Sequence, residues 1–177
     1  MKRTSLIACA LAICFATQAQ IGDVSAAKKS AFLAAKSMDE AMVNKRYDDY
    51  AAFIHPRVLE NVKGGRAGMT IQVAEQIKEL EESGNLLTAV WPNMPENMLD
   101  TNGEWQCVLP QYMEYRLPEG KIKATTSLIG LSPDKGKTWY FLDVAERNLA
   151  QMRQLFPNLS SKLVIPAAVS PQFTADK

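Results

Sequence analysis

The chain has 177 residues, 20 basic and 19 acidic side chains, and a formal charge of +1. So even a balance, with no basic stripe, argues against a nucleic-acid partner. Three cysteines and a single histidine offer too few ligands for a metal cluster, so neither a metal nor a cofactor is expected.

The first element is a leader. Met1-Lys2-Arg3 is basic, and an apolar run follows from Leu6 to Ala16. A membrane-crossing helix needs roughly 20 apolar residues, so this shorter run fits a secretory signal peptide and not a stable span. Thr17-Gln18-Ala19 supplies the cleavage site, with Gln20 as the new N-terminus. Leu6-Ile7-Ala8-Cys9 has the form of a lipobox but comes too early, and Ile13 is too large a residue before Cys14. The expected organisation is a signal peptide over 1–19, one α+β domain over 20–166 and a frayed tail over 167–177. The product is exported, to the periplasm or beyond. Cleavage removes Cys9 and Cys14 and leaves Cys107 without a disulfide partner.

Helices come next. Ser25 can cap a helix over 25–46, where Ala31, Ala34, Ala35, Met38, Ala41 and Met42 recur on one face. Asp48 can open a short helix with Tyr47, Tyr50, Phe53 and Ile54 on its apolar side. His55-Pro56 breaks it, because a residue before proline avoids the α region. Pro56 can start a further turn carrying Val58, Leu59 and Val62, ended by Gly64-Gly65. Met69, Val73, Ile77 and Leu80 define an amphipathic helix that stops at Ser83-Gly84-Asn85.

From Leu86 the period changes to two. A strand is predicted over 86–91, and Thr101-Asn102-Gly103 reads as a turn. From Trp105 the odd positions are mostly apolar, with Pro110 implying a bulge or an edge. Leu117-Pro118-Glu119-Gly120 is a tight turn, and strands return over 121–131 and 138–144. A late helix is predicted over 146–155, ending before Pro157, and Leu163-Val164-Ile165 is a docking segment. Helices followed by strands, without alternation, give an α+β class: N-terminal helices on a curved antiparallel sheet, with an extra C-terminal helix.

Ser132-Pro133-Asp134-Lys135-Gly136-Lys137-Thr138-Trp139 reads S-x-D-x-G-x-T-W and resembles the Asp-box. Asp134 can accept from backbone N–H groups, Gly136 can take positive φ, and the Trp139 ring can seal the hairpin. Sialidase propellers repeat this motif in several blades. A single copy in so short a chain sets that reading aside.

The order of elements over 25–143 resembles the nuclear-transport-factor-2-like cone that ketosteroid isomerases share. Phe53-Ile54-His55-Pro56, Gly130-Leu131-Ser132-Pro133-Asp134 and Trp139-Tyr140-Phe141-Leu142-Asp143 are similar to segments of small secreted bacterial proteins of unknown function, as are Phe156-Pro157-Asn158-Leu159 and Lys162-Leu163-Val164-Ile165-Pro166. The resemblance implies a cone without implying an activity. The late helix, an addition to it, would cover a sheet edge or the cone mouth.

His55 could act as a base beside Asp48, Asp49 or Glu60, but no nucleophile or oxyanion site accompanies it, and capping the break before Pro56 is the simpler role. Glu114 lies opposite the apolar odd positions and faces solvent. Asp143 shares a face with Trp139 and Phe141 and could be a cavity carboxylate, although Asp143-Val144-Ala145-Glu146 also has capping-box spacing. Trp91, Trp105, Tyr115 and Trp139, with Tyr112 and Tyr140, could wall a ligand pocket or simply form core. Gly64-Gly65-Arg66-Ala67-Gly68 lacks the spacing and preceding strand of a phosphate loop, and no serine sits in a nucleophile elbow. Three roles remain. One is non-catalytic binding of a small apolar ligand or a protein partner. The others are an isomerase or hydratase using His55 or Asp143, and a structural role at the cell envelope.

Overall fold

The computed structural model describes residues 12–144, 149–167 and 169–176, with side chains from residue 24 onward. Among the described residues the elements in order are α1 (Ala12–Val43), α2 (Tyr47–Ala51), α3 (Pro56–Leu59), α4 (Gly65–Glu82), β1 (Leu86–Pro92), β2 (Leu99–Thr101), β3 (Glu104–Leu117), β4 (Gly120–Ser132), β5 (Tyr140–Asp143), α5 (Leu149–Leu155) and β6 (Gln172–Ala175). The fold is α+β, as the helix-then-strand order predicts. Among the described residues, no helix is long and apolar enough to cross a membrane.

The helix α1 begins upstream of Ser25, so that residue lies in the helix interior and does not cap it. The segment before Ser25 contains no proline, so no residue there forces the helix to end, and Gly22 alone is too weak a breaker to do so. Ala27, Ala31, Ala35, Met38 and Ala41 are buried, and small side chains at four-residue spacing let the helix lie close on the sheet. Pro56 starts α3, with its missing N–H at a position where no helical partner exists. At the end of α4, Gly84 takes φ 83° and the Asn85 N–H returns to the Leu80 carbonyl.

The sheet is antiparallel, in the order β1-β3-β4-β5, with β2 also pairing with β3 and β6 with β4. Asn102-Gly103, both at positive φ, turns β2 into β3. Pro110 produces no bulge in its pairing with β4, where the register runs unbroken past Ser127. On its other side β3 is local edge, between the stretch paired with β2 and the stretch paired with β1. The missing N–H of proline therefore breaks no ladder bond. The register shift lies instead in β1, between Leu87 and Ala89.

Both sheet faces are covered at the β4–β5 end. Trp105, Cys107, Leu109, Leu128, Trp139 and Phe141 pack with the alanines of α1. Ile129, Leu131, Leu142 and Val144 pack on the opposite face with Met152 of α5 and with Phe156, Leu159 and Leu163 beyond it. The C-terminal helix thus covers the second face of the sheet, and neither an edge nor a mouth. The physical reason is the apolar surface that Ile129, Leu131 and Leu142 would otherwise leave in water.

The tail expected to fray is a strand. Residues Gln172–Ala175 pair with Gly120–Lys123, and Arg116 holds Asp176 through two hydrogen bonds of 2.9 and 2.6 Å. A Cβ at Gly120 would stand 2.2 Å from the Thr174 carbonyl oxygen, so glycine is what admits this strand.

Candidate functional site

The loop after β4 is built as its residues require. The Ser132 hydroxyl donates to Asp134 and accepts from the Gly136 N–H at 2.7 Å. Asp134 accepts from the N–H groups of Lys137 and Thr138 at 3.1 and 2.7 Å. The bond from the Thr138 N–H, with the others, holds its carboxyl below the usual range. Trp139 is buried and its indole N–H donates to the Ser30 hydroxyl at 2.9 Å, fixing the loop to α1. This is architecture and offers no chemistry.

The four aromatics expected to share a pocket are not brought together. Trp105 and Trp139 lie in the core against α1. Trp91 is 39 % exposed and stacks on Tyr112, with ring centroids 5.7 Å apart. Tyr115 sits on the opposite face from that pair, its hydroxyl 3.3 Å from the Met113 sulfur. Alternation along β3 causes the separation, because Tyr112 and Tyr115 differ by an odd number of residues.

His55 caps α3: its Nδ1 accepts from the Arg57 N–H at 3.1 Å. Of the acids offered as its partners, Asp48 pairs with Arg66 and Asp49 with Arg46, both at 2.8 Å, while Glu60 acts on the imidazole only through its charge. Burial lowers the histidine pKa, partly offset by Glu104. Its ring meets Phe156 and Tyr140 edge-on at centroid distances of 4.9 and 5.6 Å. The imidazole forms part of a cleft of about 510 Å³ with Arg57, Glu104, Leu131, Phe156, Asn158 and Leu159. Glu114 pairs with Lys121 and Lys123 at 3.3 and 3.8 Å. That is the solvent-side role its strand position predicts.

A second cavity, of about 310 Å³, opens between α2, α4, β5 and α5. Ile54, Val58, Met69, Val73, Phe141, Leu142 and Met152 make it apolar, and Tyr50, Gln76 and Asp143 bring polar atoms to it. Asp143 does share its face with Phe141, and Thr126 Oγ1 lies 3.5 Å away. Its expected capping-box partner, Glu146, lies outside the described residues. Burial, then the charges of Asp143 and Asp39, raises the Tyr50 pKa, so its hydroxyl stays protonated and can donate.

One functional candidate escapes the sequence reading. Asp39, 1 % exposed on α1, accepts from Gln111 Nε2 at 2.6 Å, while its second oxygen has no partner among the described residues. Burial lifts its pKa to about 7 despite the Gln111 bond. The signal was present: continuing Ala27, Ala31 and Ala35 by one more step of four lands on Asp39, an acid on the buried face. Among the described residues, no three His, Cys, Asp or Glu side chains gather as a metal group. Cys107 is buried as a free thiol, and burial pushes its pKa up to about 12. No protein-family model matches this chain, and a search of curated proteins returns no match.

Proposed function

We propose that this chain is an exported binding domain of the nuclear-transport-factor-2-like type, whose ligand occupies the cavity between α2, α4 and β5. The observation that carries this is the lining: an apolar wall interrupted by a tyrosine hydroxyl, an amide and a carboxylate. Its volume of about 310 Å³ is at the small end of the range for ligand sites. The ligand is accordingly a small apolar molecule with one neutral group that both donates and accepts hydrogen bonds. Tyr50 donates to it and Asp143 accepts. Binding is favoured over proton transfer because His55 Nδ1 is committed to the Arg57 N–H and Asp39 is sealed from solvent.

The test is titration with a neutral fluorescent naphthylamine dye. The parent protein should give one saturable site, and Gln76→Trp or Met69→Trp, each filling the cavity, should abolish it. Equal binding by parent and filled variants would refute the reading. The isomerase reading keeps one observation in its favour, the Asp39 carboxyl titrating near neutrality. It requires an opening of α1 from β3 that would bring substrate to that carboxyl.

A further inference from the structure

The cleft beside His55 lies apart from that cavity and carries a different charge arrangement. Arg57 stands over the Phe156 ring, its guanidinium 5.9 Å from the centroid, and donates to the Leu155 carbonyl at 2.7 Å. Glu104 accepts from Gln106 Nε2 at 2.7 Å. Gln106 is itself fully buried, and is fixed by donating to the Asn158 carbonyl and accepting from the Ser160 N–H. Among the described residues neither Arg57 nor Glu104 has an ion-pair partner, yet both line the same cleft of about 510 Å³. Two opposite charges are therefore held on one cavity, each aimed by fixed neighbours and not joined to the other. The floor between them is apolar: Leu131, Phe156 and Leu159.

We propose that this cleft binds a zwitterion with an apolar side chain, either a free amino acid or a short peptide. The ligand carboxylate meets Arg57, its ammonium meets Glu104, and its side chain lies on Phe156 and Leu159. Because both charges are held in place before binding, little ordering is needed when the ligand arrives. A bond between ionised partners also exceeds one between neutral groups, so removing either charge should weaken binding by about tenfold or more.

The experiment is calorimetric titration of the full chain with L-phenylalanine and with leucyl-phenylalanine. N-acetyl-phenylalanine and phenylalanine amide serve as ligands lacking one charge. The parent protein should bind at least one zwitterion and should lose about tenfold or more with each blocked form. Glu104→Gln should bind phenylalanine and its N-acetyl form alike, and Arg57→Gln should bind phenylalanine and its amide alike. The two zwitterions compared tell amino acid from peptide. No binding by either zwitterion, or discrimination between free and blocked ligands that survives in the matching variant, would overturn the proposal. Far-ultraviolet circular dichroism of both variants separates lost binding from lost folding. The dye site reports independently, since Gln76→Trp should leave these titrations unchanged.

Discussion

Replacing Asp39 by asparagine makes the buried carboxylate measurable. Its pKa rises from 3.8 unfolded to about 7 folded, mainly through burial. The folded chain therefore keeps the proton that the unfolded chain has already released between these values. Stability from this group is fully present below about pH 4, falls as pH rises toward 7, and is flat beyond. A shift of about three units, at about 1.4 kcal/mol each, amounts to about 4 kcal/mol across that window. The substituted amide keeps an oxygen for Gln111 Nε2, which lies 2.6 Å from the Asp39 carboxylate, but it cannot ionise. Its NH2 group replaces the carboxylate oxygen that has no partner among the described residues, and the cost of burying that group, about 1–3 kcal/mol where it is left unsatisfied, is independent of pH and leaves the slope of the difference curve unchanged. Urea unfolding followed by tryptophan fluorescence, at steps from about pH 4 to 8, gives the difference curve. Asp39→Asn should gain on the parent by about 4 kcal/mol over this range. Asp100 and Asp134, whose lowered pKa values lend stability that disappears only in acid, are common to both proteins and cancel. A flat difference curve would show that Asp39 is not buried as described.

Trp139→Ala should cost about 3–5 kcal/mol in denaturant unfolding, more than Asp134→Ala, because it empties a core site while the latter loses only loop bonds; the reverse order would refute the packing of the loop on α1. His55→Gln should lower stability by about 1 kcal/mol through loss of the α3 cap, as read by thermal unfolding. It should leave dye binding intact. Gly120→Ala should release β6, since its Cβ would collide with the Thr174 carbonyl, and the amides of residues 172–176 should then lose protection in hydrogen exchange. Intact mass of the exported protein should place Gln20 first, and a retained Met1 or a lipid adduct would refute the leader reading.

Much of the helical layer was legible. The spacing of Ala31, Ala35, Met38 and Ala41 named the face of α1, and His55-Pro56 and Ser83-Gly84-Asn85 marked real boundaries. The strand β6 was hidden for a physical reason: all four residues are exposed, so its pairing rests on backbone bonds and leaves no hydrophobic period to read. The covering of the second face left a trace that alternation obscured. Residues Ser127 to Ser132 are buried without interruption, the mark of a strand enclosed on both sides. The charge-flanked cleft was invisible for another reason. Arg57, on α3, and Glu104, on β3, line one cleft with Phe156 only once the chain is folded, and no local spacing encodes that arrangement.

The bond from Trp139 to Ser30 links residues 109 apart in the chain. Its consequence is a matter of order in time. A growing chain that has reached Ser132 already holds α1 to α4 and the β3–β4 hairpin, yet the slab between α1 and the sheet stays unsealed until Trp139 and Phe141 arrive. Until then the alanine stripe has only part of its opposing wall, and contacts of such separation close slowly. The last step of closure therefore belongs to the loop at Ser132–Trp139. Its own short-range bonds can form first and hold the indole ready for α1.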